Sequence, residues 1–423
     1  MSSQVPPLSS GRPQPVQIIF AALIGTSISS VVFGRAVLAL IVALGVILVL
    51  IDRHLRQTAW RQLRLSAIHP VGILVIVTML LWSVSALGSS FPVRSLEAAL
   101  RSGLFVAVGV IVYAVLRTNP RLHEFSSRVV IASTAVAVTI AVLEMTVLPE
   151  LYWVLRLKGW HSTPLDTELK SFSSLIVFLF PLLAMAGWKA PPSWRLWAVF
   201  AATGLVILAW HNSNRAALAG LLGAVLISVI ALFVRYGAKR VVISVVLGVG
   251  ALFAVVFTWL SISRSHLSDV APANDWFFPV WLIDFQRQTI WAHSLEIVRQ
   301  APWFGIGPNT INFAPGADQP LPGNESLHLI PAHPHNWMVE VFAETGAFGL
   351  AALLITLVVI ATQLLLEYRR TAAPKYMAAI AVLAGYWVSG LFNFSYWSAW
   401  WQLCFALAMA FALSALATGP SKK

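Results

Sequence analysis

The residues best placed to do acid–base chemistry fall in one stretch, Pro331-Ala-His-Pro-His-Asn-Trp-Met-Val-Glu-Val-Phe-Ala-Glu-Thr-Gly346. It sets two histidines, an amide and two carboxylates beside the start of a long apolar run. Pro331 and Pro334 predict an extended approach, and Asn336 carries the side chain of a good helix N-cap. A helix is then expected from Trp337 through Glu340 and Glu344 into the apolar run Ala347–Leu366. His335 would sit at the mouth of that helix, where the positive end of the macrodipole disfavours imidazolium. A neutral imidazole can accept a proton, as a general base must. One competing reading is a wet loop at a membrane surface with two incidental histidines. Another is a metal site made of His333, His335 and Glu340 or Glu344. Two histidines either side of a proline converge poorly, however, and a clear third ligand is missing.

Arginines supply the second kind of chemistry. His211-Asn-Ser-Asn-Arg215 links two apolar runs, and Arg215 opens the second. Such an arginine can snorkel to lipid headgroups, or it can grip a phosphate with paired N–H donors. Phe285–Arg299 has helical apolar spacing, which puts Arg287 and Trp291 on one face, four residues apart. Arg264 lies upstream in Ser261-Ile-Ser-Arg264. A sharp Gly/Pro turn, Ala301-Pro-Trp-Phe-Gly-Ile-Gly-Pro-Asn309, follows and lacks the third glycine, strand and helix of a dinucleotide fingerprint. Residues 314–332 read as an irregular, mobile lid. No serine sits in a Gly-x-Ser-x-Gly elbow. Glu144 lies inside an apolar run, which marks it as a functional candidate. Its nearness to the outer end of that run favours snorkelling or a hydrogen bond instead.

The elements that must position these groups are membrane helices. Hydrophobic residues make up 58% of the chain and charged residues 10%, which predicts a polytopic membrane protein. Twelve apolar runs of roughly spanning length fall near 15–33, 36–52, 70–88, 98–116, 129–148, 172–188, 194–210, 216–234, 241–260, 346–366, 377–394 and 397–417. With the N-terminus in the cytoplasm, 18 of the 28 lysines and arginines fall in short cytoplasmic loops, so the positive-inside rule orients the whole chain. The net charge of +12 is therefore topology and does not point to nucleic acid. The expected organisation is a disordered cytoplasmic N-terminus (1–14), nine transmembrane helices (15–260) and one long extramembrane loop on the outer face (261–345). Three more transmembrane helices (346–417) and a cytoplasmic C-terminus (418–423) complete it. The first apolar run reads as a retained span with no cleavage site. Cys404 is the only cysteine and lies in the last run, which excludes a disulfide framework or a cysteine-based metal site.

Arginines beside a neutral histidine suit transfer of a group from a polyanionic leaving group to a hydroxyl. The arginines meet the charge that builds on the phosphate oxygens, and the histidine takes the hydroxyl proton. In a membrane protein without a nucleotide motif the natural donor is lipid-linked, with its pyrophosphate at headgroup level. Three stretches resemble the superfamily of O-antigen ligases and O-antigen polymerases. They are Asn212-Ser-Asn-Arg215-Ala-Ala; Arg287-x3-Trp291 with Pro302-Trp-Phe-Gly-Ile-Gly-Pro308; and His333-Pro-His-Asn336 with Glu340, Glu344 and Gly346.

The resemblance implies an all-α, GT-C-like membrane glycosyltransferase in a bacterial inner membrane, with about 12 transmembrane helices and a mostly helical periplasmic loop that carries the active site. It would be inverting, metal-independent and without a cofactor. The implied reaction moves a glycan from undecaprenyl pyrophosphate to the lipid A–core oligosaccharide, a step of lipopolysaccharide biosynthesis. His335 would be the general base and Arg215 and Arg287 would bind the pyrophosphate. His333 and Asn336 would orient the base or a sugar, with Trp291, Arg264, Glu344 and His211 in support. The family often has a small polar residue where this chain has Pro334; His335 is preferred over His333 because it adjoins the helix start. An O-antigen polymerase is the nearest alternative, but polymerases of the superfamily tend to have two large outer loops, and 149–171 is short and unlike 261–345. A protein-glycan ligase, or a transporter or flippase of lipid-linked glycans, fits less well. A transporter would put its charges at the bilayer midplane.

Overall fold

The computed structural model describes residues 12–157, 159, 165–188, 190–236, 254–255, 258–259, 261–270, 277–392 and 394–415. Among these the chain is nearly all helix. In order come α1 (Pro15–Ser27), α2 (Arg35–Ile51), α3 (Arg53–Ala67), α4 (Pro70–Leu87), α5 (Pro92–Leu116), α6 (Pro120–Thr146), α7 (Pro149–Leu155), α8 (Leu165–Glu168) and α9 (Lys170–Ser173). Then follow α10 (Ile176–Trp188), α11 (Pro192–His211), α12 (Arg215–Tyr236), α13 (His266–Val270), α14 (Phe285–Gln300), α15 (Trp337–Thr371), α16 (Pro374–Gly390) and α17 (Ala399–Ser414). Seven of these helices carry proline at their first position, where its fixed φ suits the helix and its missing N–H would be unpaired anyway.

A helix occupies eleven of the twelve expected apolar runs, and among the described residues six helices, α4, α5, α6, α11, α12 and α15, are long and apolar enough to cross a membrane unaided. The bent pair α2 and α3 raises that to seven. The run at 241–260 lies almost wholly outside the described residues, as do both chain ends. Local chemistry explains two short helices. At the end of α1 the hydroxyl of Ser27, and just beyond it those of Ser29 and Ser30, bond back to carbonyls three residues earlier, and the chain tightens into a 3-10 turn at Ser29–Phe33. In α10 Pro181 interrupts the backbone ladder. The basic segment at Arg53 folds as α3, which turns 103° from α2, as a helix lying along a membrane surface would. Pro92–Arg101 is the continuous start of α5, and Glu97 pairs there with Arg101 four residues on.

Among the described residues the buried apolar side chains form three cores, one of them gathering Trp82, Trp337, Val341, Tyr396 and Trp397; the other two divide the work. The larger runs between the long helices and includes Phe20, Phe178, Leu116 and Trp401. The smaller lies outside it, where Ile290, Trp291 and Ile297 of α14 pack against Ile311, Leu321, Leu329 and Ile330. The expected lid at 314–332 therefore has a packed inner side. It also holds a short antiparallel hairpin, β1 (Pro320–Leu321) with β2 (Asn324–His328), in which Leu321 faces Asn324 and Pro320 faces His328.

The long helix α15 is broken once. Gly346 has φ 65° and ψ −171°, outside the helical region and open only to glycine at little cost. The break frees backbone groups that need partners. The Pro302–Gly307 turn supplies them: Ala347 N–H donates to Pro302 O (2.8 Å), Phe348 N–H to Trp303 O (3.2 Å), and Gly307 N–H to Glu344 O (2.8 Å). A Cβ on Gly305 would come within 2.3 Å of the Glu344 backbone, so the two strands of chain approach as closely as glycine permits.

Candidate active site

The site is built from the helix start at α15 outward. Asn336 caps that helix, its side-chain oxygen accepting from Met338 N–H (3.0 Å) and Val339 N–H (3.3 Å). Its oxygen is thus engaged by the backbone. One residue earlier His335 has φ +57°, a left-handed conformation that is uncommon outside glycine, asparagine, aspartate and histidine. The extended approach foreseen for the prolines thus ends in a sharp turn at the histidine itself. Pro334 is buried, and its carbonyl accepts a hydrogen bond from Trp291 Nε1 at 2.9 Å. The rings of His333 and His335 lie 4.3 Å apart, centroid to centroid, at 54°. Trp291 and the Asn336 cap hold the histidine turn from both sides.

Two carboxylates on the inner face of α15 brace the surroundings. Glu344 is fully buried and accepts from the N–H groups of Asn309 (2.8 Å), Thr310 (2.7 Å) and Ile311 (2.7 Å), and from Trp397 Nε1. Glu340, one turn earlier, is also buried; it accepts from Ser395 Oγ and from Tyr396 N–H (2.7 Å). One helix thereby pins the Gly/Pro turn and the segment between α16 and α17. Glu340 and Glu344 are legible as a pair by their spacing, but their partners lie far away in sequence.

Three arginines from three separate segments gather at this end of the bundle. Arg287 is on α14, one turn from Trp291 and on the same face of that helix. Its Nη1 donates to Phe392 O (3.1 Å), just past α16. That end of α16 also meets the histidine helix, through Trp337 Nε1 to Trp387 O (3.0 Å). Arg264 donates from Nη1 to Leu282 O (3.2 Å). Arg215 opens α12 and is exposed. Burial lowers the pKa of Arg287 from the usual arginine range; the charges of Arg215 and Arg264 add to this, and Asp284 opposes it. Burial likewise lowers that of Arg264, again with Arg215 adding to the effect. Asp284, the nearby acid, also caps α14 through Arg287 N–H (3.2 Å). An aspartate just before a periodic helical stretch is a cap signal readable in the sequence itself. One acid facing three guanidiniums leaves positive charge in a partly dry place, which a polyanion would neutralise.

Elsewhere in the Asn-Ser-Asn-Arg stretch, Asn214 fixes the turn before Arg215. Its amide donates to Lys170 O (3.0 Å) and Ser174 Oγ (2.8 Å), while its oxygen accepts from Ala217 N–H (3.2 Å). Asn212 is buried, and its side chain has no hydrogen-bond partner among the described residues. His211 is exposed at the end of α11. Glu144 is away from this constellation, in a buried ion pair with Arg156 (2.9 Å). Among the described residues no group of three or more His, Cys, Asp or Glu side chains gathers as metal ligands would.

The described residues thus combine apolar helices of membrane-spanning length with a cationic, histidine-bearing cluster at one end of the bundle. Comparison with known proteins adds a likeness: residues 202–354, which take in α12, the arginines, the Gly/Pro turn and the start of the histidine helix, match the model of the O-antigen ligase family. Proteins of Rickettsia typhi and Rickettsia prowazekii, each named "Putative polysaccharide ligase", are 26% identical to it over 120 residues. That stretch is 28% of this chain and 29% of each relative's own length.

Proposed function

We propose that the protein is an O-antigen ligase, an inverting glycosyltransferase that moves a glycan from undecaprenyl pyrophosphate to lipid A–core on the periplasmic face of a bacterial inner membrane. The observation that carries this reading is the meeting of the partly buried Arg264 and Arg287 with the exposed Arg215, under-neutralised by the one nearby acid, beside a histidine turn fixed by Trp291. In the reaction a hydroxyl oxygen of the acceptor attacks the anomeric carbon of the donor sugar. The carbon–oxygen bond to pyrophosphate breaks, its electron pair leaves on the pyrophosphate, and the hydroxyl proton passes to His335. Attack on the face opposite the leaving group inverts the anomeric centre. The arginines stabilise the charge as it forms on the leaving oxygens, so no metal is required for that task. His333 sits beside the base and orients it or a sugar. Trp291, Asn336 and Glu344 act on the backbone around the base and not on the substrate. His211 lies on the Arg215 turn, within reach of substrate entering from that side.

The experiment is glycan transfer by purified protein reconstituted with an undecaprenyl-pyrophosphate-linked oligosaccharide and lipid A–core. Glycosylated lipid A–core should form, and His335→Ala should lower the rate by about 10²–10⁴-fold, the usual share of a general base. Lengthened lipid-linked glycan in place of that product would reassign the protein as a polymerase. Turnover should survive EDTA; loss of activity with recovery on adding a divalent ion would overturn the metal-free mechanism.

A further inference from the structure

At the end of the bundle away from the histidines, α6, α11 and α16 begin around a cavity of about 360 Å3. The helix α15, broken at Gly346, runs from the candidate active site to this end. The cavity is lined by Glu124 and Arg128 of α6, Pro191 before α11, Lys375 of α16, and Ile131 and Met185 on an apolar side. We propose that it binds the phosphodiester headgroup of an anionic phospholipid.

Charge, backbone and shape all select that ligand. Glu124 is taken up by Arg128 at 2.6 Å. Lys375 makes no ion pair among the described residues, and its ammonium lies 4.9 Å from the centre of the Tyr376 ring. Two helices start at the cavity wall without a side-chain cap, α11 after Pro191 and α16 after Ala373, each with proline at its first position. Their first-turn N–H groups and positive dipole ends favour an anion there. The volume falls in the range of small-molecule sites, far above the roughly 30 Å3 share of a water molecule. Ile131 and Met185 would be left against solvent by a free phosphate, whereas the glycerol and first methylenes of a lipid cover them. The cavity also lies where three apolar helices begin, at the level of headgroups.

The test is lipid binding to the purified full-length protein in detergent, read by native mass spectrometry and thermal shift, so it does not depend on transfer activity. Phosphatidylglycerol should bind at least about tenfold more tightly than phosphatidylcholine, whose choline ammonium would bring a like charge toward Lys375 and the positive helix ends. Lys375→Glu should remove that preference, and Ala186→Trp, which fills the cavity and keeps its charges, should remove the binding; both variants should melt like the parent without lipid. Arg370→Glu, at the same end but outside the cavity, should bind like the parent. Equal binding of the two lipids, or an unchanged preference in Lys375→Glu, would overturn the proposal. Displacement of phosphatidylglycerol by millimolar inorganic phosphate would overturn it in favour of a free-anion site.

Discussion

Two regions of this molecule bury arginines, and they treat them in opposite ways. Arg156 is almost enclosed, its side chain 7% exposed against a Glu144 side chain at 0%. Its Nη1 reaches Glu144 at 2.9 Å and Tyr152 O at 3.0 Å, its other nitrogen reaches Val32 O, and its guanidinium lies 3.7 Å from the centre of the Tyr152 ring. Every part of that cation is answered from within the protein. Arg287 and Arg264, by contrast, each have a single carbonyl hydrogen bond, one shared acid and another arginine nearby. A closed ion pair ties helices together. An arginine cluster left open in a partly dry place stores repulsion that a bound polyanion releases. The same residue type thus serves architecture in one region and ligand binding in the other, and the difference lies in the neighbours.

That contrast can be broken or sharpened by measurement. Arg287→Ala should lower the transfer rate by about 10²–10³-fold, the loss seen when one donor to a developing oxyanion is removed. Its melting temperature should hold or rise, because a like-charge neighbour has gone; a fall of several degrees would make Arg287 a second Arg156. Arg156→Ala should do the reverse. Removing one partner of a buried pair costs about 3–5 kcal/mol, so thermal stability should collapse, whereas any residual folded protein should turn over substrate normally. Arg215→Lys probes whether the clamp is bidentate: an ammonium keeps the charge but not the paired N–H groups, and turnover near the parent's level would remove Arg215 from the pyrophosphate. Trp291→Phe keeps the ring and loses the bond to Pro334 O. The expected loss is about 1 kcal/mol of positioning, visible as a severalfold lower kcat with KM for the donor unchanged. The smallest effect belongs to the exposed pair: Glu97→Gln should shift stability by less than about 1 kcal/mol and leave transfer untouched.

Glu144 shows how far a sequence carries such a judgement. Its place near the end of an apolar run favoured a hydrogen-bonded role, and the structure gives it Arg156. Arg156 itself, in the loop at 149–171, drew no notice, because nothing local says that its side chain turns inward over Tyr152. Residues 314–332 teach a similar lesson. Their Pro, Gly and Asn content announces a loop, but it does not reveal that Leu321, Leu329 and Ile330 close a core with α14.

What the sequence determined by itself is what short-range physics governs. Apolar runs fold as helices because each backbone bond closes within four residues. Asn336 caps because its partners are two and three residues on, and Arg287 shares a face with Trp291 because they are four apart. The glycines of Pro302–Pro308 and Gly346 were visible as a turn and as the end of a motif. Only the tertiary structure decided that the turn seals the break at Gly346, since those hydrogen bonds join residues 37 to 45 positions apart. It also brought Arg215, Arg264 and Arg287 to one place, gave Glu344 the three amides of 309–311, and turned His335 into a left-handed conformation between a tryptophan bond and a helix cap. Each of these rests on contacts between distant segments, whose energy exists only once the helices have packed.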